Sequence, residues 1–109
     1  MNRVHLVSNF FGGAFLSNAI PHAVSGMLGR PFQSPFAKPP GEGLSSSTVN
    51  VLWGFCNVAV GYLLVVRVGN FNPRSVREVF ALAAGALLIG LLSARHLGRF
   101  HGGNTPGRS

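Results

Sequence analysis

Residues 49–66 read Val49-Asn-Val-Leu-Trp-Gly-Phe-Cys-Asn-Val-Ala-Val-Gly-Tyr-Leu-Leu-Val-Val66. Eighteen successive positions carry no Asp, Glu, Lys or Arg, and Arg67 closes the run. A helix of about 20 apolar residues crosses the hydrocarbon of a bilayer, so the stretch predicts a transmembrane helix over about 48–67. The preceding Ser45-Ser46-Ser47-Thr48 supplies side-chain oxygens for its first exposed amides.

Two more uncharged runs flank this one, Val4 to Gly29 and Val79 to Ala94. The first is long enough to span, although Asn9, Asn18, His22 and Ser25 interrupt it and Pro21 predicts a kink. A second reading takes Arg3, the apolar stretch and Ser17-Asn18-Ala19 as a signal peptide cleaved near residue 19. Asn9 and Gly12-Gly13 break the apolar core that such a peptide needs. The run after Glu78 covers sixteen residues, about 24 Å of helix. Glu78, Arg95 and Arg99 extend it and reach toward headgroups. Asn72-Pro73 and a Ser75/Glu78 capping box both mark its start. The expected fold is therefore all-α, a three-helix transmembrane bundle with helices about 4–29, 48–67 and 74–97. Residues 1–100 form one membrane domain, and 101–109 form a polar, Gly-rich, disordered tail.

Composition agrees. Of 109 residues, 47% are hydrophobic and 10% charged, against about 25% charged in soluble domains. The net charge of +7 comes from nine cations and two acids. These cations flank apolar runs, which points to anionic lipid headgroups. No basic stripe with interleaved aromatics is present, so nucleic acid is not an expected partner. The single Cys56 lies within an apolar run and reads as a small packing residue.

Between the first two helices, Pro31, Pro35, Pro39, Pro40, Gly41 and Gly43 forbid a regular helix. Phe32 and Phe36 recur beside Arg30 and Lys38, a composition suited to the headgroup layer. The segment reads as an ordered loop lying at the interface.

Helical spacing places the polar residues. Asn18, His22 and Ser25 share one face of the first helix; Asn50, Gly54, Asn57 and Gly61 share one face of the second. Counted inward from the connecting loop, His22 lies about as deep as Gly54 and Asn18 about as deep as Asn57. The glycines let the backbones approach and the amides bond across. The candidate polar cleft is thus Asn18, His22, Ser25, Asn50 and Asn57. Gly54, Gly61 and Gly85 are close-packing positions, Gly85 through its small-xxx-small spacing from Ala81. No second His, Cys or carboxylate is expected at the depth of His22, so no metal, cofactor or catalytic set is expected.

The motifs Asn18-Ala-Ile-Pro-His22, Gly29-Arg-Pro-Phe-Gln-Ser-Pro-Phe36, Gly43-Leu-Ser-Ser-Ser47 and Asn50-Val-Leu-Trp-Gly54 resemble those of small bacterial multi-pass membrane proteins with no assigned activity. The resemblance runs over roughly residues 9–67 and implies a bacterial plasma-membrane location. The chain length is similar to that of small multidrug resistance exporters. Those have four spans and a carboxylate within the first, which this first run lacks. The leading expectation is a non-enzymatic oligomeric or accessory membrane component, partnered by itself or by another membrane protein. A small transporter or holin-like pore along the polar cleft is one alternative. A membrane-embedded ligand binder or enzyme using His22 is another.

Overall fold

The computed structural model describes residues 3–99, which are 72% helical. Three helices form, α1 over Arg3–Met27, α2 over Ser47–Tyr62 and α3 over Val76–Gly98. The expected tail at 101–109 lies outside the described residues. Two features refine the all-α expectation. The Pro/Phe-rich loop holds a short antiparallel ladder, β1 at Phe32–Gln33 and β2 at Leu44–Ser45, with Phe32 opposite Ser45. The second helix continues past Tyr62 as a π-helix over Leu63–Val68. The Ser8 hydroxyl and the Gly69 amide both donate to the Leu64 carbonyl there, a widened turn held by an inserted partner.

The helix ends follow from local chemistry. Gly29, at φ 73°, closes α1. Its amide donates to the Gly26 carbonyl and that of Arg30 to the Ser25 carbonyl, the paired bonds of a glycine-terminated helix. Ser46 caps α2 by accepting from the Val49 amide. The two sequence signals for the third helix resolve in favour of Ser75, whose hydroxyl accepts from Glu78 N. Asn72-Pro73 lies in the turn before it, where Asn72 Oδ1 accepts from the Arg74 amide. The start at residue 74 is thereby corrected to Val76. Pro21 does not end α1, which runs on to Met27.

α1 is the central helix. It packs against both α2 and α3, which barely meet each other. Glycine makes both contacts close: a Cβ on Gly54 would lie 2.8 Å from Ala23 N, and one on Gly85 1.8 Å from the Phe10 carbonyl oxygen. A Cβ on Gly61 would strike Leu16. All three close-packing glycines of the sequence reading thus serve contacts within the chain.

The polarity is inverted. The buried apolar residues are Ala14, Ala19, Ala37 and Val65, whereas Asn9, Gln33, Asn50 and Asn57 are buried polar ones. Leu52, Phe55, Phe80, Leu87 and Leu91 are exposed. Two helices are long and apolar enough to cross a membrane, Ser47–Val68 and Val76–Gly98, and only 28% and 11% of their apolar windows are buried. α1 has the length, but its Asn, Ser, His and Gly residues lower its hydropathy, and these are the side chains it turns toward its neighbours.

Candidate functional site

The expected cleft between the first two helices forms around Asn50, which is fully buried. Its amide nitrogen lies 3.0 Å from Phe32 O, 3.2 Å from Ser45 O and 3.1 Å from Ser46 O. Three carbonyls around one nitrogen fix the orientation of the amide, so Oδ1 is the acceptor in the 2.8 Å contact with His22 Nδ1. The imidazole therefore carries its proton on Nδ1. One side chain ties α1, both short strands and the start of α2 together. Deeper in the cleft, Asn18 Nδ2 donates to Asn57 Oδ1 at 3.1 Å, and Asn57 Nδ2 donates to Trp53 O at 2.8 Å. The depth count paired Asn18 with Asn57 correctly. It placed His22 against Gly54, but Gly54 faces Ala23 and His22 reaches one turn nearer the loop. Ser25 is corrected out of the network: it is half-buried, and its hydroxyl makes no hydrogen bond among the described residues.

Interhelical polar bonds in membranes average about 0.6 kcal/mol. Asn18→Val is accordingly expected to cost about 1 kcal/mol, since it also orphans Asn57 Oδ1. Unfolding by sodium dodecyl sulphate in mixed micelles measures it; a loss above about 3 kcal/mol would give Asn18 a larger structural role than this pairing.

Above the cleft lies a cavity of about 450 Å³. Asn18, His22 and Trp53 form its floor, Gln33, Ser34 and Gly41 its roof, and Ser93 and His96 its α3 wall. Ser34 shapes the roof: its hydroxyl bonds that of Ser45 and accepts from the Phe36 amide, and its carbonyl accepts from Ala37 and Gly41. Phe32 meets the His22 ring edge-on at 5.4 Å and Phe36 meets Trp53 at 5.1 Å. Both phenylalanines therefore belong to the lid of the cleft, although Phe36 is also exposed, as are Arg30 and Lys38. Two residues that line this cavity, Gln33 and Trp53, each carry a buried donor nitrogen with no partner among the described residues. His22 Nε2 likewise makes no hydrogen bond among the described residues, Nδ1 being the bonded ring atom.

A second cavity, of about 420 Å³, continues along α1 between α2 and α3, lined by Phe10, Phe11, Ala14, Phe15, Leu88 and Ile89. Asn18, Trp53 and Ser93 line both. Sequence reasoning missed Gln33, Trp53, Ser93 and His96 as site residues, and His96 corrects the expectation of no second histidine near His22. α1 and α3 run parallel, so a depth count from α1 to α3 was the available signal. His96 Nε2 is 3.1 Å from the Gly41 carbonyl, and Arg99 Nη2 is 2.9 Å from its Nδ1; Nε2 is the donor.

Outside the cleft, Cys56 is exposed, not packed, because Asn57 takes the inward position beside it. Tyr62 is exposed, whereas Trp53 turns inward. At the far end of α1, Asn9 Nδ2 donates to the His5 and Gly69 carbonyls. Glu78 there accepts from the Asn72 amide, and no cluster of three metal-ligating side chains occurs among the described residues.

No family model, curated protein or solved structure matches the chain.

Proposed function

We propose that the chain is a three-span bacterial plasma-membrane protein that performs no chemistry and works as an accessory or oligomeric membrane component. The carrying observation is the inverted polarity: amides and an imidazole inside, Leu, Val and Phe outside. Water would reverse that arrangement; acyl chains demand it, because an unbonded polar group in hydrocarbon costs several kcal/mol. The polar residues that make α1 the least apolar helix are the ones bonded to α2 and the loop. α1 therefore serves as the third span, and cleavage near residue 19 would remove most of the helix on which the other two pack. Arg30, Lys38, Arg95 and Arg99 then meet anionic headgroups on the loop side. Gly54, Gly61 and Gly85 are spent inside the fold, so a partner, whether a second copy or another membrane protein, docks on other residues.

The reading predicts a carbonate-resistant membrane fraction. Cys56, on the outward face of α2, tests it more sharply. In intact membranes a water-soluble maleimide should leave it unlabelled, because acyl chains cover the thiol; labelling should go to completion in denaturing detergent. Rapid labelling in native vesicles, or recovery from the soluble fraction, would overturn the membrane placement. Light scattering in mild detergent then separates a single chain from an oligomer.

A specific observation favours a second role for the same cleft, that of a membrane-embedded ligand binder using His22. The cavity holds two buried unpartnered donors beside the unbonded His22 Nε2. A polar conduit has less support, since the amides of the cleft are bonded to one another.

A further inference from the structure

We infer that the groove along α1 between α2 and α3 binds a single-tailed amphiphile with an uncharged, hydroxyl-bearing head: His22, Gln33 and Trp53 take the head, and Phe11, Phe15 and Leu88 the tail. This rests on the membrane placement and deepens the ligand-binding reading.

The groove exists because α2 and α3 each pack on α1 and not on each other. Its two cavities share Asn18, Trp53 and Ser93, so they form one continuous trough. The trough is polarised along its length. At the loop end stand His22, Gln33, Ser34 and His96; past Asn18 the lining is Phe10, Phe11, Ala14, Phe15, Leu88 and Ile89. From His22 to Phe11 is eleven helical residues, about 17 Å, the reach of a medium to long alkyl chain. Each cavity lies within the range of about 300–1,000 Å³ usual for small-molecule sites.

The head chemistry follows from which atoms lack partners. Gln33 is 2% exposed, yet among the described residues its amide nitrogen has no partner, and the same holds for Trp53 Nε1. A buried donor left so costs about 1–3 kcal/mol, and native proteins keep few of them. Both want an acceptor. With its proton on Nδ1 toward Asn50 Oδ1, the His22 ring offers Nε2 as an acceptor and wants a donor. A hydroxyl supplies both, so a head with one or more hydroxyls satisfies the set. Among the described residues, no Asp, Glu, Lys or Arg lines either cavity, so an anionic or cationic head would sit desolvated and unpaired. A monoacylglycerol and an alkyl quinol share this chemistry, one hydroxylated uncharged head on one tail, and come from different lipid pools.

Trp53 is the only tryptophan and lines both cavities, so its emission reports occupancy. The experiment uses the full chain in phosphatidylcholine nanodiscs. These are titrated with a monoacylglycerol, an alkyl quinol and a chain-matched alkyl phosphate, each brominated on its chain. The expected result is saturable quenching by one of the first two, at least about tenfold tighter than by the phosphate; which one binds identifies the source. Gln33→Leu should weaken it about tenfold, one lost hydrogen bond to a buried group. Ser93→Phe, at the junction of the two cavities, should abolish it. If Ser93→Phe fails to fold, Gln33→Leu still decides. Quenching that rises linearly with bromolipid and ignores both variants would mean annular lipid only and would overturn the inference. So would preference for the anionic amphiphile, or failure of all three to bind. Each of those results leaves the membrane placement standing, because Cys56 protection tests it separately.

Discussion

Asn50→Leu is expected to destabilise the protein by about 3–5 kcal/mol, the largest single effect of any cleft substitution. Leucine has the same branched outline, is somewhat larger and suits lipid better than asparagine, so hydropathy alone predicts a gain. The geometry predicts the reverse. Asn50 gives its two N–H groups to three carbonyls and its oxygen to His22 Nδ1. Removal leaves the imidazole N–H unbonded and takes a donor from the Phe32, Ser45 and Ser46 carbonyls, in a site that water does not reach freely, at about 1–3 kcal/mol for each buried group left short. It also unties the loop from α2. Asn50→Asp separates the two halves of the role. It retains an oxygen for His22 but points a second oxygen at the carbonyls of Phe32, Ser45 and Ser46, so the loop should still detach. His22→Ala removes one bond and should cost about 1–2 kcal/mol. Detergent unfolding gives the magnitudes, and amide exchange at residues 32–45 reports the loop. If Asn50→Leu held within about 1 kcal/mol of the parent, the amide would be incidental to the fold.

The helices and the α1/α2 cleft were legible because both leave a pattern in the chain. Uncharged runs mark the spans, and polar residues at spacings of three and four mark one face, so Asn18 and Asn57 could be paired by counting. The roof and the third wall of the cavity were not legible. Gln33 and Ser34 occupy a Pro-rich segment with no periodicity, and their burial depends on the Gly41 turn and on the bond between Ser34 and Ser45. His96 reads as one of several polar residues near the end of a span, and only the parallel register of α1 and α3 brings it over His22. Ser25 failed for a related reason. It has the right angular position, but α1 ends within two residues, and the loop turns away before offering it a partner. Cys56 shows the limit of reading burial from an apolar run, since in a membrane the apolar positions are the outward ones.

The tight approach of α3 to α1 is the other feature that a single methyl group should break. A Cβ at residue 85 would fall 1.8 Å from the Phe10 carbonyl oxygen, 2.7 Å from its carbon and 3.2 Å from its Cα. All three are backbone atoms of a helix, so no rotamer change relieves the clash, and the helices themselves must separate. Gly13 makes the reciprocal contact, its absent Cβ 2.0 Å from the Leu82 carbonyl oxygen. Overpacking in a core costs about 1–3 kcal/mol. Gly85→Ala is expected at the upper end, about 3 kcal/mol, because α3 has α1 as its main support and separation thins dispersion contacts along the whole interface. Gly90→Ala is the control, about one and a half turns further on. Its Cβ would stand 3.6 Å from Ser17 Oγ, an ordinary contact, and stability should not fall. The pair also discriminates between causes. If small residues mattered only for helix flexibility, both substitutions would act alike; if close approach matters, only Gly85 responds. Moving α3 away from α1 shifts Leu88, Ser93 and His96 as a unit, so Gly85→Ala should also loosen the groove where Trp53 reports. Amphiphile quenching at parental strength in a fully folded Gly85→Ala protein would show that α3 does not form its wall.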